Sequence, residues 1–256
     1  MLEDAGERDF LGCFETALGM LYSPASLRRA LAVLDRALTH ARTAGQTVVE
    51  SWALMTICFA HLYGRDIGEA ERRADELAIL GQSRRDEEAT SYAHIVNARV
   101  VLARGDVAGA RKRFADAVAL ASAHSVAWAR AIALCGLASA TLADGDELVA
   151  RAIIEEALFF CVGTGYLGID SLCGALALLL VKAGEKDRAV RVFDAVAAGT
   201  ETASDMSATT TDPSGALRRA TREARALLGD PLPPEPPISD FDSVLRAALG
   251  DRRQLV

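Results

Sequence analysis

The chain has 256 residues, 51% hydrophobic and 25% charged, with a formal net charge of −7. At roughly 150 residues per domain, this length allows one to two domains and a core that needs neither disulfides nor a structural metal. The apolar share excludes disorder as the main state, and the acidic balance argues against direct nucleic-acid binding, which needs a basic surface.

Alanine fills 49 positions, and no proline lies between Pro24 and Pro213. Alanine is the best helix former and proline the strongest helix breaker, so an all-α fold is expected. The basic residues are 25 arginines and three lysines, which together with the alanine content suggests a GC-rich bacterial genome. The five cysteines, Cys13, Cys58, Cys135, Cys161 and Cys173, include no C-x-x-C pair. They read as small buried apolar residues in a reducing cytoplasm. The acidic N-terminus lacks the features of a signal peptide, and no 18-residue window is uniformly apolar, so no membrane span is expected.

In chain order, helices are expected over 7–22 and 24–43, 47–63 and 67–80, 86–104 and 107–123, 126–143 and 147–161, and 167–183 and 187–198. Turns separate them at Ser23-Pro24, Gly64-Arg65-Asp66, Gly105-Asp106, Gly145-Asp146 and Gly184-Glu185. Glycine suits the left-handed residue that ends a helix, and the aspartate after it can cap the next one. Asp66 with Glu69, and Thr47 with Glu50, have capping-box spacing.

A pattern of Ala, three residues, a larger apolar residue, two residues and a small or apolar residue recurs five times. It reads Ala30-Leu34-Ala37, Ala70-Ala74-Leu77, Ala110-Phe114-Ala117, Ala150-Ile154-Ala157 and Ala189-Phe193-Val196. The anchors recur at intervals of 40, 40, 40 and 39 residues. The i, i+4, i+7 spacing puts each triplet on one helix face, where alanine permits close helix approach and the larger residue fills the space beside it.

After Ala198 a Ser/Thr-rich run to Pro213 reads as a loop, and a helix over about 214–228 follows, with Ser214 as its cap. Arg218, Arg219, Arg222 and Arg225 give that helix a basic face, fitting a polar cap over the last repeat or a contact with an acidic partner or nucleic acid. The organisation expected is a helical repeat domain over 1–228, a proline-rich linker over 229–237, and a short amphipathic tail helix over 238–256. Ile238, Phe241, Val244, Leu245 and Leu249 form the tail's apolar side, expected to dock on the chain itself or to exchange in a homodimer.

The repeat resembles the tetratricopeptide repeat, whose second helix carries A-x3-F and a further small residue; Ala110-Phe114-Ala117 matches best. The family's first helix carries W-x2-L-G-x2-Y. The aligned residues here are Leu54, Ile57, Cys58 and His61; His94, Asn97, Ala98 and Val101; Leu134, Leu137, Ala138 and Thr141; and Cys173, Leu176, Ala177 and Leu180. The small position is kept in these four units, whereas the bulky and aromatic positions mostly are not, and the period is about 40 rather than 34. In this longer form the chain resembles the helical arms of large bacterial ATP-binding regulators, the LuxR-type regulators of actinobacteria and the maltose-regulon activator. It carries no G-x-x-x-x-G-K-[ST] loop and no recognisable helix-turn-helix. The resemblance implies a right-handed superhelix of about five antiparallel helix pairs, a solenoid plus a C-terminal capping helix.

The resemblance also implies that first helices line the concave side. The candidate ligand- or peptide-binding residues there are Trp52, Met55, Phe59, Tyr63, Tyr92, Ile95, Arg99 and Ser139. Aromatic rings beside one cation suit a peptide or acyl-type ligand with a carboxylate; the alternative is that long helices close the superhelix and make these residues core. No catalytic constellation, metal ligand set or cofactor motif is recognised. His61 and His94 are expected to be packed, and the carboxylate pairs Glu87-Glu88 and Glu155-Glu156 to be solvated. The function expected is a non-catalytic protein- or peptide-interaction module of a bacterial, cytoplasmic, transcription-regulatory system. The alternative is a small-molecule sensor with its ligand in the concave cavity.

Overall fold

A computed structural model describes residues 27–161, 169–199 and 214–229. Among them there are ten α-helices and no strand: α1 (Leu27–Ala44), α2 (Thr47–Tyr63), α3 (Ile67–Arg84), α4 (Glu87–Ala103), α5 (Val107–Ala123), α6 (Ala127–Ala143), α7 (Glu147–Cys161), α8 (Ile169–Lys182), α9 (Lys186–Gly199) and α10 (Ala216–Leu228). The helix expected over 7–22, most of the loop before Ser214, the proline-rich linker and the tail helix lie outside the described residues.

The described residues fall into two compact units, divided between Ala129 and Arg130. In the first, each described helix packs on the next from α1 to α5, and α2 also packs on α4. In the second, α8 packs against α7, α9 and α10. Contact between sequential helices is what a helical repeat requires.

The repeated triplets are the core. Ala30, Leu34 and Ala37, Ala70, Ala74 and Leu77, Ala110, Phe114 and Ala117, and Ala150, Ile154 and Ala157 are all buried, as are Ala189 and Phe193. The small residues of the first helices, Cys58, Ala98, Ala138 and Ala177, are also buried. So are Cys135, Cys161 and Cys173, and burial pushes the Cys58 thiol far above its ordinary range.

The turns follow the expected chemistry with two corrections. Asp66, Asp106 and Asp146 accept from the backbone N–H groups of Glu69, Gly109 and Val149, and Asp86 caps α4 in the same way. Gly105, Gly145 and Gly184 are left-handed, but Gly64 is not: at φ −72° it precedes Arg65, which takes φ +60° instead. A Cβ on Gly64 would come within 2.7 Å of Leu27 Cδ2, the tip of a side chain that can turn aside. The expected capping box at Thr47 does not form. Gln46 precedes α2 without a side-chain cap, and Glu50 turns to two arginines instead.

α3 runs to Arg84, four residues past its expected end. Gly81 lies inside the helix, where a Cβ would meet Thr90 Oγ1 at 2.5 Å and Thr90 N at 2.8 Å. The missing side chain is what lets α4 begin against the end of α3.

In the second unit, α10 buries Ala216, Leu217, Ala220 and Ala224 and keeps its arginines exposed. It approaches α8 so closely that a Cβ on Gly174 would lie 2.3 Å from Thr221 Oγ1. Ser214 Oγ accepts from Ala216 N at 3.0 Å and pairs with Ser139 Oγ at 2.7 Å, tying the start of α10 to α6.

Candidate functional site

Trp52, Met55 and Phe59 on α2, and Tyr92, Ile95 and Arg99 on α4, share one internal spacing of three and four residues. Each set therefore occupies one helix face. The rings and the cation make specific contacts. Trp52 Nε1 donates to Glu88 Oε1 at 3.2 Å, and Tyr92 Oη donates to the same oxygen at 2.7 Å. The Arg99 guanidinium carbon stands 4.3 Å from the centroid of the Phe59 ring. Met55, Phe59, Tyr92, Ile95 and Arg99 are buried, and Trp52 is half-buried. Burial, and then the Glu88 carboxylate, hold the Tyr92 phenol far above its ordinary range.

The remaining candidates stand apart from these contacts. Tyr63 lies in the last turn of α2 with 36% of its surface exposed. Ser139 is buried in the second unit and engaged by Ser214.

Three sequence expectations about polar residues need correction. Glu88 is not a solvated carboxylate but the shared acceptor of Trp52 and Tyr92; its i, i+4 relation to Tyr92 was the available signal. Glu155 is buried, held by Arg151 and Arg188, while Glu156 is exposed. His94 is exposed rather than packed.

The reason for the exposure of His94 lies in the repeat. At the two aligned bulky positions of the first helix, α2 carries Leu54 and Ile57, both wholly buried, and α8 carries Cys173 and Leu176, also wholly buried. α4 carries His94 and Asn97 there. Two polar side chains cannot fill an apolar seam without losing their water, so the seam stays open. The result is a hollow of about 210 Å³ lined by α3 (Ala78, Gln82), α4 (including Ala93, His94 and Asn97) and Arg113 of α5. A second hollow of about 370 Å³ shares Arg113 and includes Val101, Lys112 and Asp116.

No protein-family model matches the chain, and no curated protein matches it. Among the described residues no helix is long and apolar enough to cross a membrane. No group of three or more His, Cys, Asp or Glu side chains among them could hold a metal ion.

Proposed function

We propose that the protein is a non-catalytic module that binds a protein or peptide partner within a bacterial regulatory system in the cytoplasm. The resemblance to the helical arms of large regulators supports that setting, with the helix pairs wound as a right-handed superhelix of about five. The observation that carries the reading is the contrast between the two sides of α4. On the side facing α2, Phe59, Tyr92, Ile95 and Arg99 are buried by protein, where an internal small-molecule ligand would need space. On the other side of α4 lie two open hollows, one of about 210 Å³ against α3 and α5 and one of about 370 Å³ against α5. Pockets for small molecules usually run to about 300–1,000 Å³ and enclose most of the ligand; the first hollow falls below that size, and the second falls within it but lies open at the surface.

The test uses the purified full chain in two arms. In one, a protein captured by photo-crosslinking in cells of the source organism is purified and mixed with the chain, and the mass of the complex is measured. In the other, a metabolite panel is screened by thermal shift, because a ligand that binds only the folded state raises the melting temperature. A complex of defined stoichiometry re-formed from pure components supports the reading. Reproducible shifts with small molecules and no such complex would replace it with the small-molecule sensor.

A further inference from the structure

The hollow between α3, α4 and α5 has a floor and a rim of different chemistry. Ala93 is buried and Ala78 half-buried, while Gln82, His94 and Arg113 are exposed and Asn97 is half-buried beside them. Arg113 separates this hollow from the second one, which adds the exposed Lys112. Other arginines of this unit are engaged by carboxylates: Arg73 by Asp35, Glu69 and Glu76, and Arg104 by Glu71. Lys112 and Arg113 form no ion pair or hydrogen bond with any described residue. Asp106, which accepts from Gly109 N, and the exposed Asp116 line the second hollow as well, so its formal charges balance, whereas the first hollow is lined by Arg113 and no carboxylate. One unit earlier the aligned positions carry Leu54 and Ile57, both wholly buried.

We propose that the first hollow seats an acidic residue from a segment of a protein partner. The inference deepens the interaction reading above and rests on it. A glutamate side chain fits the first hollow, its methylenes on Ala78 and Ala93. Its carboxylate meets the guanidinium fork of Arg113, with Asn97, Gln82 and His94 offering further donors. The attraction weakens with salt.

The probe is an end-blocked hexapeptide alternating glutamate and leucine, compared with its glutamine counterpart and added to the full chain. Binding is read from the His94 ring resonances, assigned with His94→Leu, and from anisotropy of the labelled peptide. The glutamate peptide should shift those resonances saturably and the glutamine peptide should not. Arg113→Gln should weaken binding about tenfold or more, the scale of a hydrogen bond to a charged group. The double variant His94→Leu/Asn97→Leu, which restores the apolar seam, should bind no peptide and melt no lower than the parent. If the double variant fails to fold, the exposed Arg113→Gln decides. Equal shifts with both peptides, unchanged affinity in Arg113→Gln, or no shift up to about 5 mM peptide would overturn the proposal. A partner complex that survives Arg113→Gln unchanged would overturn it while leaving the interaction reading intact. The absence of any partner complex would remove the reading itself.

Discussion

The guanidinium of Arg99 lies over the ring of Phe59 at 4.3 Å, and both side chains are buried where α2 packs on α4. A cation facing an aromatic ring in a dry setting gains on the order of 2 kcal/mol, and the long arginine stem also fills volume. Arg99→Ala therefore removes both the ring contact and the packing. It should cost about 2–4 kcal/mol in urea denaturation, with Phe59→Leu costing less. A loss below about 1 kcal/mol for Arg99→Ala would show that the helix pair does not depend on this contact.

Glu50 is the counterpart at the other end of α2. Buried near the helix start, it accepts from Arg42 Nε of α1 at 2.9 Å and lies 3.2 Å from Arg84 Nη2 of α3. One carboxylate thus links three helices. The arginines are substantially exposed and can return to water, but the carboxylate cannot. Arg42→Met/Arg84→Met should therefore cost about 3–5 kcal/mol by stranding a buried charge. Adding Glu50→Leu to that pair should recover most of the loss, as read from chemical denaturation midpoints. A triple variant no more stable than the double one would refute this account.

The residues that told their place were those whose partners recur with the repeat. Ala110, Phe114 and Ala117 declare a helix face by their own spacing, and their burial follows because the same face is used in the other units. Asp66 and Asp106 cap residues three positions ahead, again within reach of local reading. What escaped was set by distant partners. Gly81 was unreadable because Thr90 of the next helix decides that it continues α3. Glu50 was read as a local cap because Arg42 and Arg84 approach from other helices. By analogy Trp52 and Phe59 belong to a binding face or, where long helices close the superhelix, to the core; their contacts with Glu88 and Arg99 depend on how α2 meets α4. His94 was assigned to the core by its repeat position alone, which carries no information about whether a neighbour fills the seam.

The contact between α8 and α10 is set by one absent side chain. A Cβ on Gly174 would lie 2.3–2.7 Å from the Oγ1, Cγ2 and Cβ atoms of Thr221. Alanine there gains about 1 kcal/mol of helix propensity, but the overlap should cost more, giving a net loss of about 1–2 kcal/mol. The loss should concentrate in α10, so its amides should exchange faster with solvent while those of α7 change little. Thr221→Gly should restore protection in the Gly174→Ala background, because it removes all three overlapping atoms. Thr221→Ala should restore less, because its Cβ remains. Unchanged exchange in Gly174→Ala would mean that α10 shifts without strain.

His61 supplies a pH dependence at the α2–α3 turn. Its side chain is 14% exposed. Burial lowers its pKa from the ordinary 6.5. Asp66, whose Oδ2 lies 3.7 Å from Nδ1, acts in the opposite direction with Glu69 and Asp35, and does not overcome the burial. The unfolded chain therefore binds a proton at His61 more readily than the folded one. Stability from this group is full above pH 6.5, falls as pH drops through that value, and levels off below the lowered folded pKa. Glu69 has a depressed pKa through its bond to Arg72, so its contribution persists until the pH falls below about 4.5 and does not mask the histidine. His61→Phe should remove the part of the pH 7 to 5 stability loss that comes from this site, as measured by urea midpoints at half-unit intervals. A parent and variant with the same slope over that window would show that the imidazole charges in the folded state without penalty.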